Sequence, residues 1–450
     1  MTPSARRVAV AAAPLFVAQA GLLATFDLAS HPHATIAWLA VGFLGLAWAA
    51  ARIADRQRTG SAAILIVAAA LRLMALPLPA SLSDDIFRYI WDGRVAGAGS
   101  NPYLLAPEDA ELEPLRDDLY ERLPHRAVET VYPPLALAVF TMVARFPAPV
   151  LLLKSVLLLA DLGVCWLLLL IARRLSLPSG RTIWYAWSPL AVLEISGMGH
   201  VDALGILAVS AVVLALVSRP RWVLSAAVGA AAAVLAKVVP VVAVPLWARS
   251  SGRPMILWVV AVALVALSFA PVILSVGGVP PGYVAYGVSW EFNGPLFEPL
   301  WRLLDHLALS ERIEGTLDHL KETRGEHEFW NRFYPFNYPQ FIAKLMLGAV
   351  AAGAIGALSW FGRSDRPAEL TGMIFGVLIV CSATVYPWYL LWVLPWAALA
   401  RQPAWLLLAA LIPISYLPQF TEMSLLPWGY LVIWLPFALT LAFFTRWSTD

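Results

Sequence analysis

Apolar runs of roughly 17–25 residues recur along almost the whole chain, flanked by Arg and separated by short polar breaks. A run of that length crosses the hydrocarbon of a bilayer as an α-helix. In lipid, only helices and closed barrels can satisfy their own backbone groups. The runs are continuous rather than alternating, which excludes a β-barrel. Only 13% of the residues are charged, against about 25% in a soluble domain. The expected fold is therefore all-α and integral to a membrane, a polytopic bundle of about 12–14 transmembrane helices.

The expected spans are 8–28, 35–51, 61–79, 149–172, 182–197, 203–218, 222–236, 238–248, 255–275, 339–361, 369–386, 388–400, 404–417 and 429–445. Basic residues alternate between their ends. Arg6/Arg7, Arg52/Arg56/Arg58, Arg173/Arg174/Arg181, Arg219/Arg221, Arg249/Arg253, Arg363/Arg366, Arg401 and Arg446 fall on one side, whereas 29–34, 197–202 and 418–428 hold no Lys or Arg. This is the positive-inside pattern, and it places both termini in the cytoplasm. The first run lacks a small-residue cleavage site and reads as a retained helix. Short runs meeting at Lys237 and at Tyr386-Pro387-Trp388 read as broken helices, which persist at depth only against protein or a wet cavity. Two long segments, 80–148 and 276–338, fall outside the membrane, and 310–330 reads as a solvated, charged helix. The net charge of +2 and the scattered Arg residues form no nucleic-acid patch. Cys165 and Cys381 lie in apolar runs and read as small core residues rather than a disulfide or zinc pair.

The chemistry concentrates at 81–103, where Asp84 and Asp85 follow an apolar span directly. Ionisable groups at a membrane edge are costly and usually functional. Ser81 stands three residues before Asp84, a capping-box spacing, and a helix then runs through Ile86, Ile90 and Trp91 until Gly97, Gly99 and Asn101-Pro102. On that helix Asp84, Arg88 and Asp92 share a face, and Asp85 and Tyr89 share the next. A carboxylate in a first helical turn is held ionised, as a general base requires, and also suits a divalent cation that holds phosphate. Arg88 and Arg94 suit phosphate oxygens or restrain the carboxylates. The plainer alternatives are a helix cap and an exposed ion pair of little weight. Phe87, Tyr89, Trp91, Tyr103 and Tyr120 suit sugar faces, and they equally suit an interfacial aromatic belt.

Lys237, at a broken helix, suits a lipid-linked phosphate or is a snorkelling helix end. His200 and Asp202, in a minimal loop on the same side, suit a substrate hydroxyl or a metal, or form a capped turn. Arg72, Lys154, Asp161 and Glu194 lie inside spans and must find partners there. Arg72, two turns before Asp84, suits the acidic pair or a phosphate, and Asp161 and Glu194 suit structural bonds. Glu291-Phe292-Asn293 opens the second outer segment as a lid, an acceptor contact or a plain loop. Tyr386, Trp388 and Tyr389 suit the lipid-facing mouth.

At these residues the chain resembles a family. SDDIFRYIWDGRV (83–95), GSNPY (99–103) and VYPP (131–134) are similar to the first outer loop of C-fold (GT-C) membrane glycosyltransferases that use polyprenyl-phosphate sugars, in particular the bacterial family 87 and mannosyltransferase B-like group. GMGHVDALGIL (197–207), LAKVVPVVAVPLW (235–247), SWEFNGPLFEPLWRLL (289–304) and YPWYLLWVLPW (386–396) extend the resemblance over about 61–400. It implies an inverting transfer of a hexose, best taken as mannose, from a polyprenyl-phosphate donor to a hydroxyl of a lipid, glycan or protein. The acidic pair would supply the base, and Arg88, Arg94, Lys237, Arg72, Tyr89, Tyr132, His200, Asp202 and Glu291 the substrate and phosphate contacts. No cofactor is required, although a divalent Mg or Mn ion is compatible. The resemblance further implies a bacterial inner (plasma) membrane, with the site facing the periplasm or exterior. The division is 1–60 (two added helices), 61–275 (core, with 80–148 as catalytic loop), 276–338 and 339–450. The opposing reading is a transporter or lipid flippase, which broken helices and buried charges also fit but which predicts inverted repeats that are not seen.

Overall fold

The computed structural model describes residues 3–53, 60–218, 222–324, 328 and 337–444. Arg56, Arg58, Arg219, Arg221 and Arg446 of the basic pattern, and most of 325–336, lie outside them. The described residues are helical, with no strand beyond isolated bridges from Phe292 and Asn293 to Thr384. Seven of their helices are long and apolar enough to cross a membrane: Arg6–Thr25, Pro32–Ile53, Pro149–Arg174, Pro254–Val276, Pro339–Phe361, Pro403–Phe420 and Leu425–Phe444. Seven shorter apolar helices accompany them, among them Ser61–Ala75, Asp202–Val217, Val223–Ala236 and Pro367–Cys381. This is an all-α polytopic membrane protein.

The helices break where the sequence suggested and in one further place. Val223–Ala236 ends at an extended Lys237 and resumes as a 3-10 turn, Val239–Ala243. Pro367–Cys381 gives way to extended chain and then to the 3-10 turn Pro387–Trp392. The expected span 182–197 is itself broken, ending in a wide π-type turn, Val192–Met198, with Gly199 at φ +86°. A side chain at Gly199 would be strained there, and its Cβ would stand 2.4 Å from Ile86 Cδ1. The first outer segment also holds an apolar helix, Pro134–Val143, which starts at the Tyr132-Pro133-Pro134 turn and packs against Asp85–Gly97.

A buried ion pair joins three parts of this bundle. Arg72 and Asp161 are fully buried and 2.7 Å apart. The guanidinium also donates to the carbonyls of Ala186 (2.7 Å) and Ala68 (3.1 Å), and Asp161 accepts the Tyr185 hydroxyl at 2.5 Å. Arg72 is thereby consumed by the scaffold and does not reach the acidic pair. Breaking such a pair leaves an uncompensated charge in an apolar interior, whereas replacing both partners with apolar groups is often neutral. Asp161→Leu alone is expected to cost about 3–5 kcal/mol, and Arg72→Met with Asp161→Leu markedly less. Thermal unfolding in detergent checks this, and equal losses from the single and double variants would refute it.

Candidate functional site

The connector before the acidic pair is pinned from three directions. Pro77 and Pro79 stop the Ser61–Ala75 helix, and the buried Lys154 ammonium donates to the freed carbonyls of Leu76 (2.7 Å) and Leu78 (2.6 Å). The Ser81 hydroxyl accepts the backbone N–H groups of Leu28 (3.2 Å) and Ala29 (3.4 Å). It therefore anchors the N-terminal hairpin and caps nothing, contrary to the capping-box spacing. The helix runs Asp85–Gly97 with Asp84 as its N-cap residue, and the Asp84 side chain makes no cap bond. Both carboxylates stand at a helix N-terminus, where the backbone N–H groups favour anions.

They open into a cavity of about 730 Å3. Asp84, Asp85, Arg88 and Tyr89 form one wall, with Tyr132 beside them and Lys237 opposite. Tyr286 and Trp290 come from the second outer segment, and Tyr386, Trp388 and Tyr389 from the late helix break. Gly348, Ala351 and Phe420 add apolar lining, and Lys344 a second ammonium group. The breaks at Lys237 and at Tyr386–Trp388 thus line one space.

The two carboxylates differ. Asp84 is exposed, and burial still raises its carboxyl somewhat, opposed by Arg122. The Asp85 side chain is one-third exposed, 3.4 Å from the Tyr89 hydroxyl and 3.7 Å from His200 Nδ1. Burial pushes Asp85 up to about 6 against the pull of the Lys237 ammonium, with Asp202 and Asp84 acting in the same direction as burial. Lys237 itself sits 2.7 Å from Asp202 Oδ1, which also accepts the Trp392 indole N–H at 2.5 Å. One carboxylate offsets the Lys237 charge without occupying all of its three N–H donors.

The other expected residues fall in different places. Arg88 lines the cavity, but its guanidinium is largely engaged, pairing with buried Asp92 (2.8 Å) and donating to the carbonyls of His125 (3.0 Å) and Val128 (2.6 Å). The Arg88–Asp92 pair is thus buried rather than an exposed surface pair. Arg94 points away, onto Asp117 (2.8 Å) and the Leu115 carbonyl. Glu291 pairs at 2.9 Å with Lys344, which also donates to the Val288 carbonyl on the cavity's far side. His200 and Asp202 stand behind the wall as partners of Asp85 and Lys237. Among the described residues no three His, Cys, Asp or Glu side chains are grouped to hold a metal ion.

Two features escaped the sequence. The Tyr416 hydroxyl lies 2.9 Å from both oxygens of buried Glu194, whose Oε2 is 3.3 Å from His200 Nε2. Phe292, Tyr386, Trp388 and His200 also stack in series, with ring centroids 4.7, 4.6 and 3.9 Å apart and planes within 16°. Tyr386 and Trp388 therefore turn their faces to one another rather than to a lipid mouth. Only their order around Pro387 hinted at this, since nothing local marks Phe292 or His200 as their partners.

The raised Asp85 carboxyl has a consequence for stability. Its folded-state value lies above the ordinary 3.8, so ionisation weakens the fold. The penalty is absent below the ordinary value and complete above about 6. Asp85→Asn is expected to raise the melting temperature by about 2 °C near pH 8 and to leave it unchanged near pH 4. Melting curves at the two pH values check this, and an equal shift at both would show that charge is not the cause.

Residues 5–252 match the sequence profile of the MptA/B family, described as alpha-(1->6)-mannopyranosyltransferase, N-terminal domain. No curated protein and no solved structure matches the chain in the corresponding comparisons. The matched region contains the acidic pair, His200, Asp202 and Lys237, and it takes in nearly all of the two N-terminal helices that the motif resemblance left outside its core. It covers more than half of the 450 residues, so the chain belongs to the MptA/B mannosyltransferase family and is a multi-pass membrane glycosyltransferase.

Proposed function

We propose that the chain transfers mannose from a polyprenyl-phosphate donor to a hydroxyl of a lipid, glycan or protein acceptor at the extracytoplasmic face of a bacterial inner membrane. The observation that carries this reading is the single cavity that brings together an acidic pair, the Lys237 and Lys344 ammonium groups and apolar lining from Gly348, Ala351 and Phe420. The acceptor hydroxyl gives its proton to the acidic pair as its oxygen attacks the anomeric carbon. The bond from that carbon to the phosphate oxygen breaks, and polyprenyl phosphate leaves with its charge facing Lys237. Phosphate is a good leaving group, so this step needs no acid on the leaving oxygen, unlike glycoside hydrolysis. A single displacement inverts the anomeric centre, so the alpha linkage in the family's description calls for a beta-configured donor. The prenyl tail would leave the cavity along Gly348, Ala351 and Phe420, where a side chain at Gly348 would meet nothing within 4 Å.

The basic pattern of the short connections supports the orientation, since the cavity lies on the side away from Arg52, Arg173 and Arg174. Arg88 shapes the loop beside the carboxylates, while Arg94 and Arg72 serve the scaffold. Membranes holding the wild type are expected to move label from radiolabelled polyprenyl-phosphate mannose into a new product, and Asp84→Asn with Asp85→Asn to lower transfer by at least about 10²-fold. Lys237→Met removes the cation that opposes the raised Asp85 value, so the acidic limb of the rate profile should move to higher pH. Transfer by the double Asn variant at the wild-type rate would place the base elsewhere.

A further inference from the structure

His200 is fully buried, and neither ring nitrogen has a hydrogen-bond partner among the described residues. An imidazole left unsatisfied in an apolar interior is costly, so its surroundings call for a reason. Its two nitrogens face two carboxylates on opposite sides, Asp85 Oδ2 at 3.7 Å from Nδ1 and Glu194 Oε2 at 3.3 Å from Nε2. The Trp388 ring lies parallel to it at 3.9 Å and fixes its plane. Hydrogen bonds of catalytic groups are often long without substrate and tighten in the reactive complex.

We propose that His200 is the positioning residue of Asp85, donating Nδ1–H to its carboxylate while Glu194 and Tyr416 hold Nε2, and that Asp85 rather than Asp84 is thereby the base. The inference rests on the transferase reading above and assigns the role within the pair. Its proton inventory is consistent. One proton shared between Glu194 and Nε2 leaves Nδ1 as a donor, and the Tyr416 hydroxyl donates to Glu194. The array then carries one net negative charge, located on Asp85. If Glu194 were ionised opposite a neutral ring protonated at Nε2, Nδ1 would turn a lone pair toward the Asp85 carboxylate. Asp84 has no such support, and the charged group acting on it is Arg122.

Other groups also face Asp85. They are the Lys237–Asp202 pair, Asp84 and Tyr89 beside it in sequence, and the hydroxyls of Tyr132, Tyr286, Tyr386, Tyr389 and Tyr416. Lys237 is the cation that acts on His200. None of these groups changes when His200 is replaced, so a shift in the pH profile reports the ring itself.

The test compares His200→Phe, which keeps a ring against Trp388 but has no donor, with His200→Asn, whose amide N–H takes the place of Nδ1–H. In the mannose transfer assay, His200→Phe is expected to lower kcat by about 10²-fold with KM little changed. Loss of the donor destabilises ionised Asp85, so the acidic limb should move to higher pH, and His200→Asn should recover part of both. A Phe variant with the wild-type limb would reduce His200 to packing and overturn the proposal, and so would an Asp85→Asn variant that retains activity. If the wild type transfers no label from any polyprenyl-phosphate hexose, the transferase reading fails, and 15N-histidine spectra decide the array by themselves. A His200 Nδ1 resonance that moves on Asp85→Asn supports the proposal, and one that does not move overturns it.

Discussion

Inside a bilayer, a backbone N–H or C=O that leaves its helix has no water to turn to. This cost decides where the present chain can stop being helical. Its helices break near Val192–Met198, at Lys237 and across Ser382–Trp392; the last two breaks line one cavity, and the first leads into His200, which faces Asp85 from behind the wall. The freed groups are met locally. Thr384 and Val385 exchange backbone contacts with Phe292, and the Glu194 carbonyl accepts the N–H groups of Gly199 and His200. The cavity is thus both the place where irregular chain is tolerated and the place where polar side chains can be delivered to membrane depth.

The electrostatics follow from that placement. Charges within the bundle that do not reach the cavity are closed off in pairs or onto carbonyls, as with Arg72 and Asp161 or Lys154 and its two acceptors. Lys237 and Asp85, by contrast, are only partly compensated and face open volume. An ammonium with donors to spare opposite a carboxylate of raised affinity for protons is an arrangement that pulls on both ends of a polar substrate. Gly348, Ala351 and Phe420 add apolar surface to the same volume. Such a site is costly in the empty protein, as expected where function has set the arrangement rather than stability.

Much of this was legible in the sequence. The apolar runs gave the class of fold, and Pro and Lys at 237–240 and 386–388 marked two of the breaks because proline and charge interrupt a spanning helix in recognisable ways. The acidic pair stood out because nothing apolar explains two carboxylates at a membrane edge. The break near Val192 was hidden, since the turn VLEISGM contains no proline and its Glu194 reads equally well as a paired charge within a continuous span. Arg72 and Arg94 were misplaced for a different reason. Their partners, Asp161 and Asp117, lie 89 and 23 residues away, and periodicity cannot see which distant carboxylate a guanidinium will meet. The role of Ser81 was lost in the same way, because its partners belong to the turn after the first helix.

The ring stack from Phe292 to His200 joins three stretches of chain, each about a hundred residues from the next, and one of them lies in the second outer segment. Rings in van der Waals contact resist compression along the stack, so the four act as one spar between Phe292 and the His200 ring beside Asp85. A change in the length of the 288–297 stretch is therefore transmitted to His200 as a displacement of a ring edge, although no residue near Asp85 has been altered. The length of that stretch is thereby tied to the register of the spar.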